Sequence, residues 1–302
     1  MKLAYQSHTF HGSSRELIVH ADEIMTEYAA DGYDLTLRQL YYQFVARNLL
    51  PNTEKNYKRL GEIVSQARLA GLLDWDVMVD RTRELRRVSH WDSPADIVGT
   101  CARQFRIDTR TDQANYIEVW VEKEALAGIV LPICAELDVH CLVCRGFISQ
   151  SAMWEGASRF HAQAKADKTG ILLHLGDHDP SGLDMTRDIR DRLNDTFGAP
   201  VSVERIALTM PQVEEIQPPP NPAKVTDSRY DAYVSEYGPT CWEMDAIDPR
   251  RLTQIIQMAV KAATNAKKRN KLIAKQDSHR EQLQTIADRL DADPGWIPEV
   301  GE

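Results

Sequence analysis

The sequence predicts an α/β fold, a parallel sheet flanked by helices and preceded by an α-rich domain. Three observations carry that prediction. Beyond about residue 110, short apolar, β-branched runs alternate with helical patterns, the signature of strands joined by crossover helices. Before that point the periodicity is helical with no such alternation. Finally, two of the predicted strands end in acidic residues, as strands of a parallel sheet do when they carry a site at their carboxyl ends. The expected domains are residues 1–110 and 111–302.

The first helix is expected to open at Ser13-Ser14-Arg15-Glu16, where Ser13 and Glu16 have capping-box spacing. A second spans about Thr36 to Leu49, with Leu37, Leu40, Tyr41, Phe44 and Val45 at helical spacing. Pro51-Asn52-Thr53 interrupts it, a third runs from Glu54 to Ala70, and Gly71 ends it. Leu72 to Asp80 reads as a short strand pair. Three helices followed by a hairpin describe a winged helix whose third helix enters a major groove; the rival reading is a helical bundle without DNA contact. After a helix near Ala95–Phe105 come the strand Tyr116–Val121, the helix Glu124–Leu137, the strand Val139–Val143 and the helix Ser151–Lys165. The strand Gly170–Leu175, the helix Gly182–Phe197 and the strand Val201–Leu208 complete the alternation. Pro211 to Pro222, with Pro218-Pro219-Pro220, reads as a loop or arm, and the chain from Pro249 onward as helical.

Composition limits the function classes. No apolar run approaches the roughly 20 residues that span a bilayer, and Met1 to Ser14 lacks the apolar core of a secretory signal. The five cysteines are irregularly spaced, so a reducing cytoplasm is expected. A net charge of −9 weighs against nucleic acid, but the charge is segregated. Residues 35–110 hold 13 Lys/Arg against 9 Asp/Glu, and residues 261–280 hold 7 against one. Lys58, Arg59, Arg68, Arg81 and Arg83 are the candidate phosphate contacts, the last two in the run Arg81-Thr82-Arg83-Glu84-Leu85-Arg86-Arg87. A charge run is equally a solvated face.

The chemistry sits at the two acidic strand ends. Tyr116–Val121 delivers Glu122, and Gly170–Leu175 delivers Gly176-Asp177-His178-Asp179-Pro180-Ser181-Gly182. Residues i and i+2 of an extended chain face one side, so Asp177 and Asp179 would converge, joined by Glu122 from another strand. Such hard oxygen ligands suit Mg²⁺, which keeps several waters when a few carboxylates hold it. An isolated Asp-x-Asp more often caps a helix, but this one ends a buried strand and has an acidic strand end upstream.

Val119-Trp120-Val121-Glu122-Lys123-Glu124-Ala125 and Gly176-Asp177-His178-Asp179-Pro180-Ser181-Gly182 together resemble the Toprim domain of topoisomerases, primases and related nucleases. The Glu-Lys-x-Ala and Asp-x-Asp-Pro-x-Gly forms look most like the topoisomerase VI A subunit and its meiotic double-strand-break relatives. Arg145-Gly146-Phe147-Ile148 is similar to a segment of that branch, and Arg38-Gln39-Leu40-Tyr41-Tyr42 matches its Arg-x-x-Tyr-Tyr motif. The resemblance covers residues 35–210 and implies a winged helix before a Toprim domain. It also implies Mg²⁺ held by Glu122, Asp177 and Asp179, and attack on a DNA phosphate by Tyr42 with Arg38 assisting. The helix after Tyr42 and the arginine run depart from the family pattern. The family works as a homodimer in which the tyrosine of one chain meets the partner's metals. A separate ATPase subunit would supply strand gating, since no Gly-x-x-x-x-Gly-Lys-[Ser/Thr] loop is present.

Alternatives stay open at this point. Tyr41 and Tyr42 also read as core aromatics of an amphipathic helix, with Tyr42 at the flank of the apolar stripe. A Toprim nuclease that uses metal-activated water, as in Wadjet-type plasmid defence, has no need of Tyr42. A DNA-binding protein of the same fold without catalysis is the third reading. Cys141-Leu142-Val143-Cys144 has zinc spacing but lacks a second pair, and His178 is expected to point away from the two aspartates, toward solvent or phosphate.

Overall fold

The computed structural model describes residues 1–78, 88–293 and 295–296. Three helices open the chain: α1 (Gly12–Ala30), α2 (Leu37–Ala46) and α3 (Glu54–Leu69). Thr36 and Gln39 form a reciprocal capping box at the start of α2, and Thr53 accepts from Asn56 N at the start of α3. The Ser13 cap is corrected. Helix α1 is already under way at Gly12 with His11 as its N-cap, so Ser13 lies inside the first turn and its hydroxyl accepts from Arg59. Tyr28, Leu35, Leu40, Phe44, Leu60 and Leu73 form the centre of the core these helices share.

The expected strand pair after α3 is also corrected. Among the described residues of that span, 72–77 form bends and Met78 makes a bridge to Leu35; Val79 and Asp80 lie outside the described residues. The reason is a competing donor: Arg68 gives hydrogen bonds to the carbonyls of Trp75 (2.8 Å) and Met78 (3.1 Å) and stacks on the Trp75 ring. Gly71, at φ +73°, reverses the chain beforehand.

Four parallel strands follow: β1 (Asn115–Val121), β2 (His140–Val143), β3 (Thr169–Leu175) and β4 (Val201–Ala207), in the order β2-β1-β3-β4. Every residue of β1 from Tyr116 to Val121 is buried, as expected of a strand covered on both faces. The crossovers carry α5 (Ala127–Leu137), α6 (Gln150–Lys165) and α7 (Pro180–Asp191). The protein is therefore α/β, a four-stranded parallel sheet flanked by helices. Trp120, Met153, Phe160, Leu172 and Leu193 pack one side of the sheet.

Part of the expected 211–222 loop is helical. Helix α8 (Met210–Ile216) carries its own capping box, Thr209 with Gln212, and only Gln217 to Pro220 lacks regular structure. Strand β5 (Asn221–Pro222) then pairs antiparallel with β6 (Thr240–Cys241), with α9 (Tyr230–Tyr237) between them. Helices α10 (Pro249–Ala262) and α11 (Ala266–Ala292) follow.

The chain divides into two compact units, one of the described residues in Met1–Arg83 and Tyr116–Val260, the other of those in Glu84–Asn115 and Lys261–Glu302. Within the second, α4 (Pro94–Gln104) packs along α11, where Gln276 accepts from Ile107 N (3.1 Å) and Arg280 donates to the Phe105 carbonyl (2.9 Å). Among the described residues no helix is long and apolar enough to cross a membrane.

Candidate metal centre

Backbone hydrogen bonds fix the two acidic strand ends side by side. Glu122 N donates to the Leu175 carbonyl (2.9 Å) and Gly176 N to Ala207 O (2.8 Å), extending the sheet past β1 and β3. Asp177 N then donates to Glu122 Oε2 at 2.9 Å, so the Glu122 carboxylate lies against the Asp177 backbone. Asp179 is the N-cap of α7, where its Oδ1 accepts from Gly182 N (2.6 Å) and the Ser181 hydroxyl (3.0 Å). Gly182 is obligatory here, because a Cβ would lie 2.2 Å from the Asp177 carbonyl oxygen. Arg205 clamps the turn from beneath, donating to the carbonyls of Gly176, Asp177, Gly182 and Leu208 and to the Thr186 hydroxyl.

A second acidic segment, not anticipated from the sequence, completes the site. His178 and Trp242 exchange backbone hydrogen bonds of 2.9 and 3.0 Å, an antiparallel bridge that lays residues 240–245 beside the 176–179 turn. Met244 N consequently donates to Asp177 Oδ1 (2.9 Å), and Glu243 and Asp245 face Lys123. The Lys123 ammonium lies 2.6 Å from Asp177 Oδ2, 2.9 Å from Glu243 Oε2 and 2.8 Å from Asp245 Oδ2. Arg38 reaches Glu243 from α2. The signal available in the sequence was Glu243-Met244-Asp245, an acid alternation after the β-prone Thr240-Cys241-Trp242.

His178 does not face solvent, and that expectation is corrected. It is buried among Tyr233, Tyr237 and Trp242, with Nδ1 3.0 Å from the Tyr233 hydroxyl. Bridging to Trp242 turns the ring into this aromatic cluster, and burial pulls its pKa down to about 4.

Glu122, Asp177, Asp179, Glu243 and Asp245 line one cleft of about 1010 Å³ together with Arg38, Lys123, Arg145 and Lys224. Burial, and then the neighbouring Asp177 charge, push the Glu122 carboxyl up to about 7. Burial likewise raises Asp177, to about 6, against the pull of Lys123. Lys123 keeps its proton firmly: burial opposes the charge, but Asp177, Asp245 and Glu243 outweigh it. Lys123 and Arg38 hold Glu243 below the usual carboxylate range although burial opposes this.

The donor set suits a hard divalent cation. Glu122 Oε1 and Asp179 Oδ2 take no hydrogen bond among the described residues, and Asp177 Oδ2 is held only by Lys123. The cleft lining holds eight carboxylates (Glu54, Glu122, Glu124, Asp177, Asp179, Asp227, Glu243 and Asp245) against four cations (Arg38, Lys123, Arg145 and Lys224), a formal excess of four negative charges. Among the described residues, however, no three His, Cys, Asp or Glu side chains stand together as a ready-made ion cage. Asp179 is turned to the α7 cap and Asp177 to Lys123, so the convergence expected of all three carboxylates reduces to the Glu122–Asp177 pair with Asp179 on the same cleft wall.

Tyr42 and Arg38 also belong to this neighbourhood. The Tyr42 hydroxyl accepts from Asn221 Nδ2 (2.9 Å), which also reaches Glu243 (3.4 Å), which in turn binds Lys123. Tyr42 is only 2% exposed, because α2 packs its polar edge onto the 221–245 segment. Burial and the Glu243 charge push its phenol up to about 12. Arg38 sits 5.8 Å from the Tyr42 ring centre, with its guanidinium committed to Glu243. Tyr41 is buried and its hydroxyl lies against the Thr53 backbone.

Of the candidate DNA contacts, Lys58 and Arg59 are exposed, Lys58 paired with Glu54 at 2.7 Å. Arg68 turns inward to the Trp75 and Met78 carbonyls and is not presented to a phosphate. Arg81 and Arg83 lie outside the described residues. Comparison of the sequence with protein-family models and with characterised proteins gave no match.

Proposed function

We propose that this chain is a Mg²⁺-dependent DNA-cleaving enzyme, a Toprim-type sheet preceded by a three-helix segment, similar to the topoisomerase VI A branch in its acidic strand ends. The observation that carries the reading is the hydrogen bond from Asp177 N to the Glu122 carboxylate, which sets the two acidic strand ends side by side on a cleft with excess negative charge. Glu122, Asp177 and Asp179 would hold the metal, which supplies charge neutralisation at a phosphate and an acidified water. Glu122, whose carboxylate takes a single backbone N–H, suits the base that takes the proton of an attacking water. Lys224 and Arg145, at the cleft wall, suit the phosphate oxygens.

Water attack is favoured over tyrosine attack. A nucleophile must meet the scissile phosphate, and the Tyr42 hydroxyl is buried, bonded to Asn221 and strongly protonated. Hydrolysis then forms one bond from water oxygen to phosphorus and breaks one P–O ester bond, with a proton passing to the leaving oxygen. The covalent alternative draws on the closeness of Tyr42 and Arg38 to the cleft, and on the family's use of a homodimer with a separate ATPase subunit; it needs the α2 edge to open. Supercoiled plasmid incubated with Mg²⁺ and resolved on a denaturing gel separates the readings. Hydrolysis leaves nicked or linear DNA free of protein, and Tyr42→Phe still cuts. Protein bound covalently to the DNA ends, lost in Tyr42→Phe, would establish the covalent route. No cleavage under any divalent metal would remove the enzymatic reading.

A further inference from the structure

The metal reading uses Glu122, Asp177 and Asp179 but gives no task to Glu243, Asp245 or Lys123, which form the most concentrated charge cluster in the cleft. Three carboxylate oxygens from separate residues converge on the Lys123 ammonium at 2.6–2.9 Å. That is a cation site whose occupant is tethered to the chain. Its position one residue after Glu122 puts it between the two acidic segments. Asp177 Oδ1 is committed to Met244 N, so Oδ2, the oxygen Lys123 holds, is the one available to a metal.

We propose that Lys123 is a tethered counter-cation that competes with the divalent metal for Asp177. With no metal bound it neutralises Asp177; when metal arrives it withdraws onto Glu243 and Asp245. The inference rests on the metal reading above and concerns how that site is loaded. Withdrawal costs Lys123 one of three contacts, and Asp245 can replace it. The Asp245 side chain is fully buried and its Oδ1 has no hydrogen-bond partner among the described residues, an acceptor left over within the same cluster. An uncompensated buried acceptor is costly, so an added N–H is a gain there. Glu243, anchored by Arg38, stays in place as Lys123 moves. The device keeps a site with an excess of negative charge folded before metal binds, and it biases the site toward divalent ions strong enough to displace an ammonium.

Mn²⁺ binding, followed by the electron-paramagnetic signal of the free ion in the absence of DNA, tests this without reference to activity. Four chains are compared: the parent, Lys123→Met, Asp245→Asn and the double variant. Lys123→Met should bind at least about tenfold more tightly, because the competitor is gone. Asp245→Asn should weaken binding several-fold in the parent, where Lys123 loses its alternative partner, yet change it less than about twofold in the Lys123→Met background. Unchanged or weaker binding by Lys123→Met overturns the proposal. So does an equal effect of Asp245→Asn in both backgrounds, which would mark a simple field effect of one carboxylate. If Lys123→Met does not fold, the same substitution is made in a Glu243→Gln/Asp245→Asn chain. There it leaves only Asp177 without its lysine and should again tighten binding; no tightening overturns the proposal. Absence of Mn²⁺ binding in every chain removes the metal reading itself and the competition with it, an outcome distinct from tight binding that ignores Lys123.

Discussion

Glu118 and Glu122 lie four residues apart on the same stretch of chain, both buried, and the structure treats them in opposite ways. Glu118 is completely satisfied. Its Oε1 takes hydrogen bonds from Tyr116 (2.7 Å) and Arg159 (2.7 Å), and its Oε2 from Trp120 (2.8 Å) and Arg159 (2.9 Å). Those donors hold its carboxyl below the usual range although burial opposes this. Glu122 receives one backbone N–H and faces Asp177, and its carboxyl is pushed up to about 7. Burial alone therefore does not mark function. A buried acid with matched donors is structural; one left short of donors, beside a second acid and on a cleft, is prepared for a ligand that arrives later.

The sharpest way to break this comparison is to remove each carboxylate. Glu118→Ala strands Tyr116, Trp120 and Arg159 and should cost roughly 3 kcal/mol in urea unfolding, the scale of breaking a buried ion pair. Glu122→Gln relieves repulsion with Asp177 and should stay within about 1 kcal/mol of the parent without metal, while losing cleavage. Equal destabilisation by the two would erase the distinction.

Acid unfolding gives a second, smaller contrast. Because Glu118 titrates lower in the folded chain than its ordinary 4.5, the unfolded state binds more protons in that interval. Its stabilisation is fully present above pH 4.5 and is lost as pH falls through the folded value. A Glu118→Gln chain should consequently show a shallower loss of stability below pH 4.5 than the parent. An unaltered slope would mean that the Arg159 pairing contributes nothing to acid stability.

Tyr42→Phe should have the smallest effect of the three. It deletes one hydrogen bond, to Asn221, and should cost about 1 kcal/mol in thermal unfolding, more than the near-zero cost of removing an exposed hydroxyl. A change below a few tenths of a kcal/mol would show the hydroxyl facing solvent, and would reopen the covalent route.

The same contrast describes what the sequence made legible. The order of strands and helices around Glu122 and Asp177 follows from local pattern, because period and punctuation reside in consecutive residues; the second helix is legible from Thr36, which is its N-cap. Glu243 and Asp245 escaped because they enter through one bridge, His178 to Trp242, between segments 64 residues apart. No periodicity encodes such a pairing. For a similar reason the 72–78 segment misled: its apolar residues suit a strand, but Arg68 satisfies two of its carbonyls and leaves no ladder to form. Tyr42 was correctly set at the edge of the apolar stripe, yet that edge is covered by Asn221 and Glu243 rather than by solvent.

The central claim is that a divalent metal completes Glu122, which is left short of donors, and takes the Asp177 oxygen that Lys123 otherwise holds. Crystals soaked in Mn²⁺ and measured at the manganese absorption edge test it most directly. The account predicts an anomalous peak at about 2.1 Å from a carboxylate oxygen of both Glu122 and Asp177, with Asp179 bound directly or through water. The same soak of Glu122→Gln crystals should show no peak. Manganese absent from the parent site, or present equally in the Glu122→Gln crystals, would contradict the account.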